Sequence, residues 1–168
     1  GVLVAPHTDP FLHPEIYEFI KLASEYFPTK KITTVTTGAY VREDKIDFLN
    51  SISNYGIDLS LITMQKQREA IIPRSERERT LFLLKYAPLN KCTLMFTGEL
   101  DEVKKDLELL YELGVDKRVR QILVRRMEHT ATSQPRLKEL SQHCIDHYEE
   151  CITWIKKNYP NVVFTVPI

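Results

Sequence analysis

Polar, charged and small side chains cluster at the ends of short apolar segments, and these residues have types suited to chemistry. Small residues admit close approach of a ligand, while acids, arginines and histidines offer both signs of charge. Such a set suits a polar, zwitterionic or phosphorylated ligand. It comprises His7, Thr8, Asp9, Thr37, Gly38, Ser60, Thr63, Thr97, Gly98, Glu99, Arg125, Arg126, Glu128 and His129.

Each of these residues also has a purely structural interpretation. Asp9 stands before a proline, which is typical of a turn or a helix cap. Gly38 suits a turn with positive φ, and Glu99 suits a helix start, where the helix dipole favours an acid. Arg125 and Arg126 are adjacent, so at most one of them faces a ligand if the preceding strand continues. The evidence for a site therefore lies in the whole set.

Alternating strands and helices must position this set. Apolar and β-branched runs predict strands that begin near residues 2, 32, 57, 92, 121 and 162. Helices are predicted from Pro14, over 44–54, over 76–87 with Ser75 and Glu78 as a capping box, over 101–113, and from Pro135. We expect a polar loop over 125–134.

This order is typical of right-handed βαβ units on a parallel sheet, that is, an α/β fold. Two closures remain open from the pattern: a doubly wound open sheet, as in a flavodoxin-like binding or signalling domain, or part of a TIM-like β/α barrel. In both, ligands bind at the C-terminal ends of the strands. No phosphate-binding glycine loop and no nucleophile elbow occurs in the sequence.

Composition limits the partners and the compartment. The 168 residues contain 23 Lys+Arg and 23 Asp+Glu, so the net charge of zero argues against bulk affinity for nucleic acid or a membrane surface. No apolar run approaches the roughly 20 residues of a membrane span. Cys92, Cys144 and Cys151 match neither a disulfide framework nor a metal motif. We predict a cytoplasmic protein with reduced cysteines, the last two on one buried helix face.

Taken in order, the strand ends resemble the core of the radical S-adenosylmethionine enzymes. The matching segments are Thr8-Asp9-Pro10 with His13-Pro14-Glu15, Thr36-Thr37-Gly38, the strand around Ser60, Thr97-Gly98-Glu99-Leu100-Asp101 and Leu113-Gly114-Val115. The resemblance covers essentially the whole chain. It implies a partial TIM-like barrel, S-adenosylmethionine and a [4Fe–4S] cluster as cofactors, and an oxidoreductase that abstracts hydrogen from its substrate through a 5′-deoxyadenosyl radical.

The resemblance also implies roles for individual residues, although it identifies no catalytic residue. Thr8 and Asp9 would lie near the methionine amino group, and Thr37 and Ser60 near the ribose or carboxylate. The adenine would lie near Gly98 and the Val124–Arg125 strand end, with Gly38 beside the cofactor. Substrate contacts are expected from His7, Glu99, Glu128 and His129.

One departure from the family pattern is large. The Cys-x-x-x-Cys-x-x-Cys loop that holds the cluster is absent, and the three cysteines cannot replace it. We therefore expect residues 1–168 to be a single α/β domain, the C-terminal portion of a larger partial barrel, with no metal ligands and no activity of its own. Its partners would be a small-molecule or unidentified substrate and an upstream cluster-binding segment of the same protein. A non-catalytic remnant with an interaction role is a further alternative.

Overall fold

A computed structural model describes residues 1–4, 8–61, 74–96, 98–126 and 135–165. These described residues form six strands, β1 to β6, and five α-helices, α1 to α5. The strands are Val2–Val4, Ile32–Thr36, Tyr55–Leu61, Leu89–Phe96, Gln121–Arg126 and Val163–Thr165. The helices are Ile16–Tyr26, Ile46–Asn50, Arg74–Tyr86, Leu100–Glu112 and Pro135–Asn158. Short 3-10 helices lie at Pro10–Leu12, Glu43–Lys45 and Val115–Lys117.

All six strands belong to one parallel sheet in the order β1-β2-β3-β4-β5-β6. Each strand pairs with the next one along the chain, which is the arrangement of a β/α barrel. A flavodoxin-like sheet would place its second strand outside the first, so that alternative is wrong. The six strands form a curled half-barrel with the helices outside, and the predicted α/β fold class is confirmed.

One face of the sheet is packed against the helices. Alternate residues of β3 and β4 are almost fully buried on this face, including Ile57, Leu59, Cys92, Leu94 and Phe96. The helices contribute the facing apolar side chains to the same core: Ile20, Leu49, Leu83, Leu84, Leu107, Leu110, Tyr148 and Ile155. Cys144 and Cys151 are both buried on α5, as their seven-residue spacing predicts.

The opposite face of the sheet, which we call the open face, carries the side chains that alternate with the buried ones. Strand register places the following residues on it: Leu3, Thr33, Val35, Asp58, Ser60, Lys91, Thr93, Met95, Gln121, Leu123, Arg125 and Val163. Leu3, Val35 and Val163 are 58%, 40% and 38% exposed. The open face is the inside of the half-barrel. None of the described helices is both long and apolar enough to cross a membrane.

The predicted helix over 44–54 is wrong at its C-terminal end, because α2 ends at Asn50. The side-chain amide of Asn54 donates to the carbonyls of Phe27 (3.1 Å) and Lys30 (2.9 Å). The backbone carbonyl of Asn54 accepts a hydrogen bond from the backbone amide of Ile32 at 2.7 Å. Asn54 thus holds the connection between α1 and β2, a role that it could not fill inside a helix.

Four further boundaries differ from the prediction. Ser75 lies inside α3 and not before it, so the predicted capping box is wrong. Strands β3 and β4 begin earlier than predicted, at Tyr55 and Leu89. The Tyr55 hydroxyl lies 2.6 Å from the Thr34 hydroxyl in the core, which explains why a tyrosine starts a buried strand. Strand β5 continues to Arg126, so Arg125 and Arg126 do not belong to the predicted loop, and the rest of that loop lies outside the described residues.

Candidate functional site

The loops after β1 and β2 are joined through Asp9. The Asp9 side chain caps the 3-10 helix that follows it, with Oδ1 accepting from the Phe11 amide at 3.0 Å. Asp9 Oδ2 accepts from the Thr36 hydroxyl at 2.5 Å. Thr36 Oγ1 in turn accepts from the Gly38 amide at 2.9 Å. Because Thr36 is buried at the end of β2, this chain of hydrogen bonds fixes the carboxylate against the second strand end.

Asp9 retains the capacity to bind a ligand. An ionised carboxylate offers about four acceptor positions, of which the two bonds above use two. The side chain is partly exposed, and the neighbouring Thr8 is exposed. A ligand ammonium group could therefore reach Asp9 Oδ1 or Oδ2 without breaking the cap. The structural and functional interpretations of Asp9 are compatible.

Gly38 makes a close approach that a side chain would block. Its φ of +85° lies in the region that favours glycine. A Cβ there would stand 2.6 Å from Cδ1 of Leu83 and 3.2 Å from Cδ1 of Leu59. The turn after β2 thus lies directly on the core. Thr37, immediately before it, is partly exposed.

The turn after β4 is held by α5. Gly98 is buried with a φ of +104°, and a Cβ there would stand 2.1 Å from Cδ2 of His143. Nε2 of His143 lies 3.0 Å from Oε1 of Glu99. These two side chains are 41% and 52% exposed, so the pair contributes at most about 1 kcal/mol. His143 also contacts the ring of His147 edge-on, with centroids 4.5 Å apart.

Ser60 and Arg125 share the open face but lie on different strands. Ser60 is partly exposed and pairs in register with Thr93 on β4. Arg125 is exposed near the end of β5, in register with Met95. Arg126 points to the helix side, with its guanidinium carbon 5.5 Å from the centroid of the Tyr148 ring. The expectation that at most one of these arginines faces a ligand on the open face is confirmed.

Not every predicted site residue can be located. His7, Thr63, Thr97, Glu128 and His129 lie outside the described residues. Among the others, Asp9 and Gly38 are connected through Thr36, and Gly98 and Glu99 meet His143. Ser60 and Arg125 are separated by the width of β4.

Two residues of the site were missed in the sequence, Thr36 and His143. Thr36 had a detectable signal, because it directly precedes Thr37-Gly38 and alternates with the buried Thr34. His143 had none, because it is 44 residues from Glu99 in the chain and lies within a helix. Only the packing of α5 against the end of β4 brings His143 to the site.

The cysteines do not suit an iron–sulfur cluster. Cys92, Cys144 and Cys151 are fully buried. Burial raises the pKa of Cys92 and of Cys151 to about 12, so both thiols stay protonated at neutral pH, whereas a cluster needs thiolates. Within the described ranges, no group of three His, Cys, Asp or Glu side chains is placed to hold a metal ion.

Comparison with known proteins gives a fold match without a sequence match. No protein-family model and no curated protein matches the sequence. Among solved structures, Streptococcus suis SuiB bound to S-adenosylmethionine matches with a TM-score of 0.66 at 15% identity, covering 99% of this chain and 38% of that one. SuiB alone gives a TM-score of 0.65 at 16% identity, covering 99% and 38%. SuiB bound to the precursor peptide SuiA gives 0.65 at 15% identity, covering 99% and 37%.

The fold is that of a partial, TIM-like radical S-adenosylmethionine barrel. At this level of identity the match shows the fold alone. The chain spans less than two-fifths of the length of SuiB. Within that span, the C-terminal ends of its six strands face the same edge, which is where barrels of this class bind ligands.

Proposed function

We propose that this chain is part of a radical S-adenosylmethionine enzyme and that its strand ends bind the cofactor. One observation carries the proposal: over 99% of this chain, the fold matches that of a SuiB structure that contains bound S-adenosylmethionine. The Asp9 carboxylate and the close-approach glycines Gly38 and Gly98 support it, since they lie at the strand ends. When bound, S-adenosylmethionine would supply the radical chemistry of such an enzyme, which belongs to the cofactor and not to the barrel.

In this proposal each strand end has its own task. Asp9 and Thr8 bind the cofactor's ammonium group, and Thr37 and Ser60 bind the ribose or the carboxylate. The turns at Gly38 and Gly98 border the cofactor, and the two glycines let these turns pack against Leu83 and His143, where a Cβ would clash. Arg125 borders the adenine. His7, Glu99, Glu128 and His129 face the substrate; in the free protein Glu99 pairs with His143.

The cluster would be held by a part of the protein outside this chain, because the three cysteines here are buried thiols. We propose that residues 1–168 form one domain of a longer cytoplasmic protein. The substrate would lie on the open face, inside the half-barrel. SuiB, whose fold this chain shares in part, binds a precursor peptide, which favours a peptide as one class of substrate.

Replacing Asp9 with asparagine tests this assignment. Asparagine keeps an oxygen that can accept from the Phe11 amide, so the cap survives while the negative charge is lost. We expect the Kd for S-adenosylmethionine, measured by titration calorimetry on the full-length protein, to rise roughly tenfold or more, the value of one charge-assisted hydrogen bond.

The matched control is Asp47→Asn, which removes an exposed carboxylate from α2. Its Kd should equal that of the unchanged protein. If the Asp9→Asn variant binds S-adenosylmethionine with the same Kd as the unchanged protein, Asp9 does not contact the cofactor. Absence of any S-adenosylmethionine binding by the unchanged protein would overturn the proposed function.

A further inference from the structure

We infer that Arg125 binds a carboxylate group of the substrate. This inference rests on the proposed function, because it takes the open face as the substrate side. It gives the positive charge of Arg125 a binding partner, whereas the resemblance only places this residue beside the uncharged adenine. The argument depends on the charges of the open face and on their positions along the strands.

The open face has three ionisable side chains among the described residues of its strands: Asp58, Lys91 and Arg125. The first two neutralise each other, with Lys91 Nζ 3.3 Å from Asp58 Oδ2. Asp58 Oδ1 also accepts from the Asn90 amide at 2.6 Å, and its side chain is mostly buried. Lys31, which directly precedes β2, adds a cation at the opposite end of this face, where its Nζ donates to the Tyr55 carbonyl at 2.8 Å. Toward the C-terminal ends of the strands, Arg125 is the one exposed ionisable side chain among the described strand residues of this face.

Arg125 also occupies the outermost position for a ligand that enters from the strand ends. Its strand neighbours in register are Met95 and Thr165, both uncharged. Ser60 and Thr93 lie one layer deeper and offer hydroxyl groups. A ligand that spans from Ser60 to Arg125 crosses two strand spacings, about 10 Å. Such a ligand contacts the guanidinium at the strand ends and neutral hydrogen-bonding groups one layer deeper.

A carboxylate fits this arrangement better than a phosphate does. The planar guanidinium fork matches a carboxylate with two parallel hydrogen bonds. A phosphate monoester carries a charge of about −1.5 to −2 and calls for more than one cation. The cofactor's own carboxylate is an unsuitable partner, because its proposed contacts Thr37 and Ser60 lie two or more strands away from β5. The carboxylate therefore belongs to the substrate.

Arginine-specific labelling of the full-length protein tests the inference. Phenylglyoxal reacts with exposed guanidinium groups, and mass spectrometry gives the rate at each site. Glutarate serves as the carboxylate probe, with glutaramide as its neutral counterpart and inorganic phosphate and S-adenosylmethionine as further arms, all at constant ionic strength. The internal control is Arg120, which is exposed just before the same strand at its opposite end.

We expect glutarate to slow labelling of Arg125 about tenfold at ten times its Kd, following the factor 1 + [L]/Kd. Labelling of Arg120 should not change, and glutaramide should protect neither residue. The glutarate affinity of Arg125→Gln, measured by saturation-transfer NMR, should fall about tenfold, whereas Arg120→Gln should keep it.

Three results would overturn the inference: no protection by glutarate, equal protection of Arg120, or protection of Arg125 by phosphate in preference to glutarate. Protection by S-adenosylmethionine is expected from the proposed position of the adenine beside Arg125. The proposed function fails separately. If the protein does not bind S-adenosylmethionine in calorimetry, glutarate can still protect Arg125. If it does bind the cofactor and glutarate gives no protection, only the assignment of Arg125 is wrong.

Discussion

Replacing Asp106 with asparagine is expected to change the free energy of unfolding in a pH-dependent way. The change at pH 8 should be more stabilising than the change at pH 4 by as much as about 4 kcal/mol. Asp106 is 6% exposed on the buried side of α4, and its Oδ2 has no hydrogen-bond partner among the described residues. Burial raises the pKa of this carboxyl from 3.8 to about 7, with a smaller contribution from nearby Glu102.

The direction of this effect follows from proton binding. Between pH 4 and 7 the unfolded chain releases the Asp106 proton while the folded chain keeps it, so stability falls as the pH rises. Above pH 7 the cost of the buried charge is complete. The asparagine variant lacks this charge, so its urea-denaturation free energy should not show this fall.

The matched control is Glu108→Gln, which removes an exposed acid from the same helix. It should leave the pH dependence between 4 and 7 unchanged. If Asp106→Asn and the unchanged protein lose the same stability between pH 4 and pH 8, the carboxyl is ionised in the folded state at no cost. The account of its burial would then be wrong.

Replacing Gly98 with alanine is expected to cost roughly 1–3 kcal/mol through its backbone conformation alone. The φ of +104° is unfavourable for any residue with a Cβ. The new methyl would also overlap the His143 ring, at 2.1 Å from Cδ2, and would force that ring away from Glu99. Urea denaturation measures the total cost.

Two further variants separate the backbone cost from the steric one. At Gly114 the backbone φ is +66°, and no atom of the described residues lies within 4 Å of an added Cβ. Gly114→Ala should therefore cost only about 1–2 kcal/mol. In the Gly98→Ala/His143→Ala double variant the overlap is gone and the backbone cost stays. If Gly98→Ala proves no more destabilising than Gly114→Ala, the close packing of α5 on this turn is not as described.

The sequence predicted the repeating architecture well, because parallel strands buried on one face leave strong apolar signals. The run Ile32–Thr36 is β-branched, and Val103, Leu107 and Leu110 mark a clear helix. The order of the strands could not be obtained from periodicity. It depends on pairing between strands that are some 30 residues apart along the chain, which local patterns do not record.

The predicted ends of helices and strands were wrong where a tertiary contact overrode a local sequence preference. Asn54 leaves the helix pattern because it bonds to carbonyls at Phe27 and Lys30. Tyr55 joins β3 because its hydroxyl meets Thr34. The same limitation applied to the site: Asp9 was recognised from its turn, whereas His143 reaches Gly98 only through the packing of a distant helix.

The most direct test of the central claim is whether the full-length protein cleaves S-adenosylmethionine. The protein would be reconstituted anaerobically with iron and sulfide until it shows the brown absorbance of a cluster. It would then be reduced with dithionite, and 5′-deoxyadenosine would be quantified by mass spectrometry. The account predicts 5′-deoxyadenosine in the complete reaction and its loss when the reductant or S-adenosylmethionine is left out. A reduced, cluster-containing protein that forms no 5′-deoxyadenosine would contradict it.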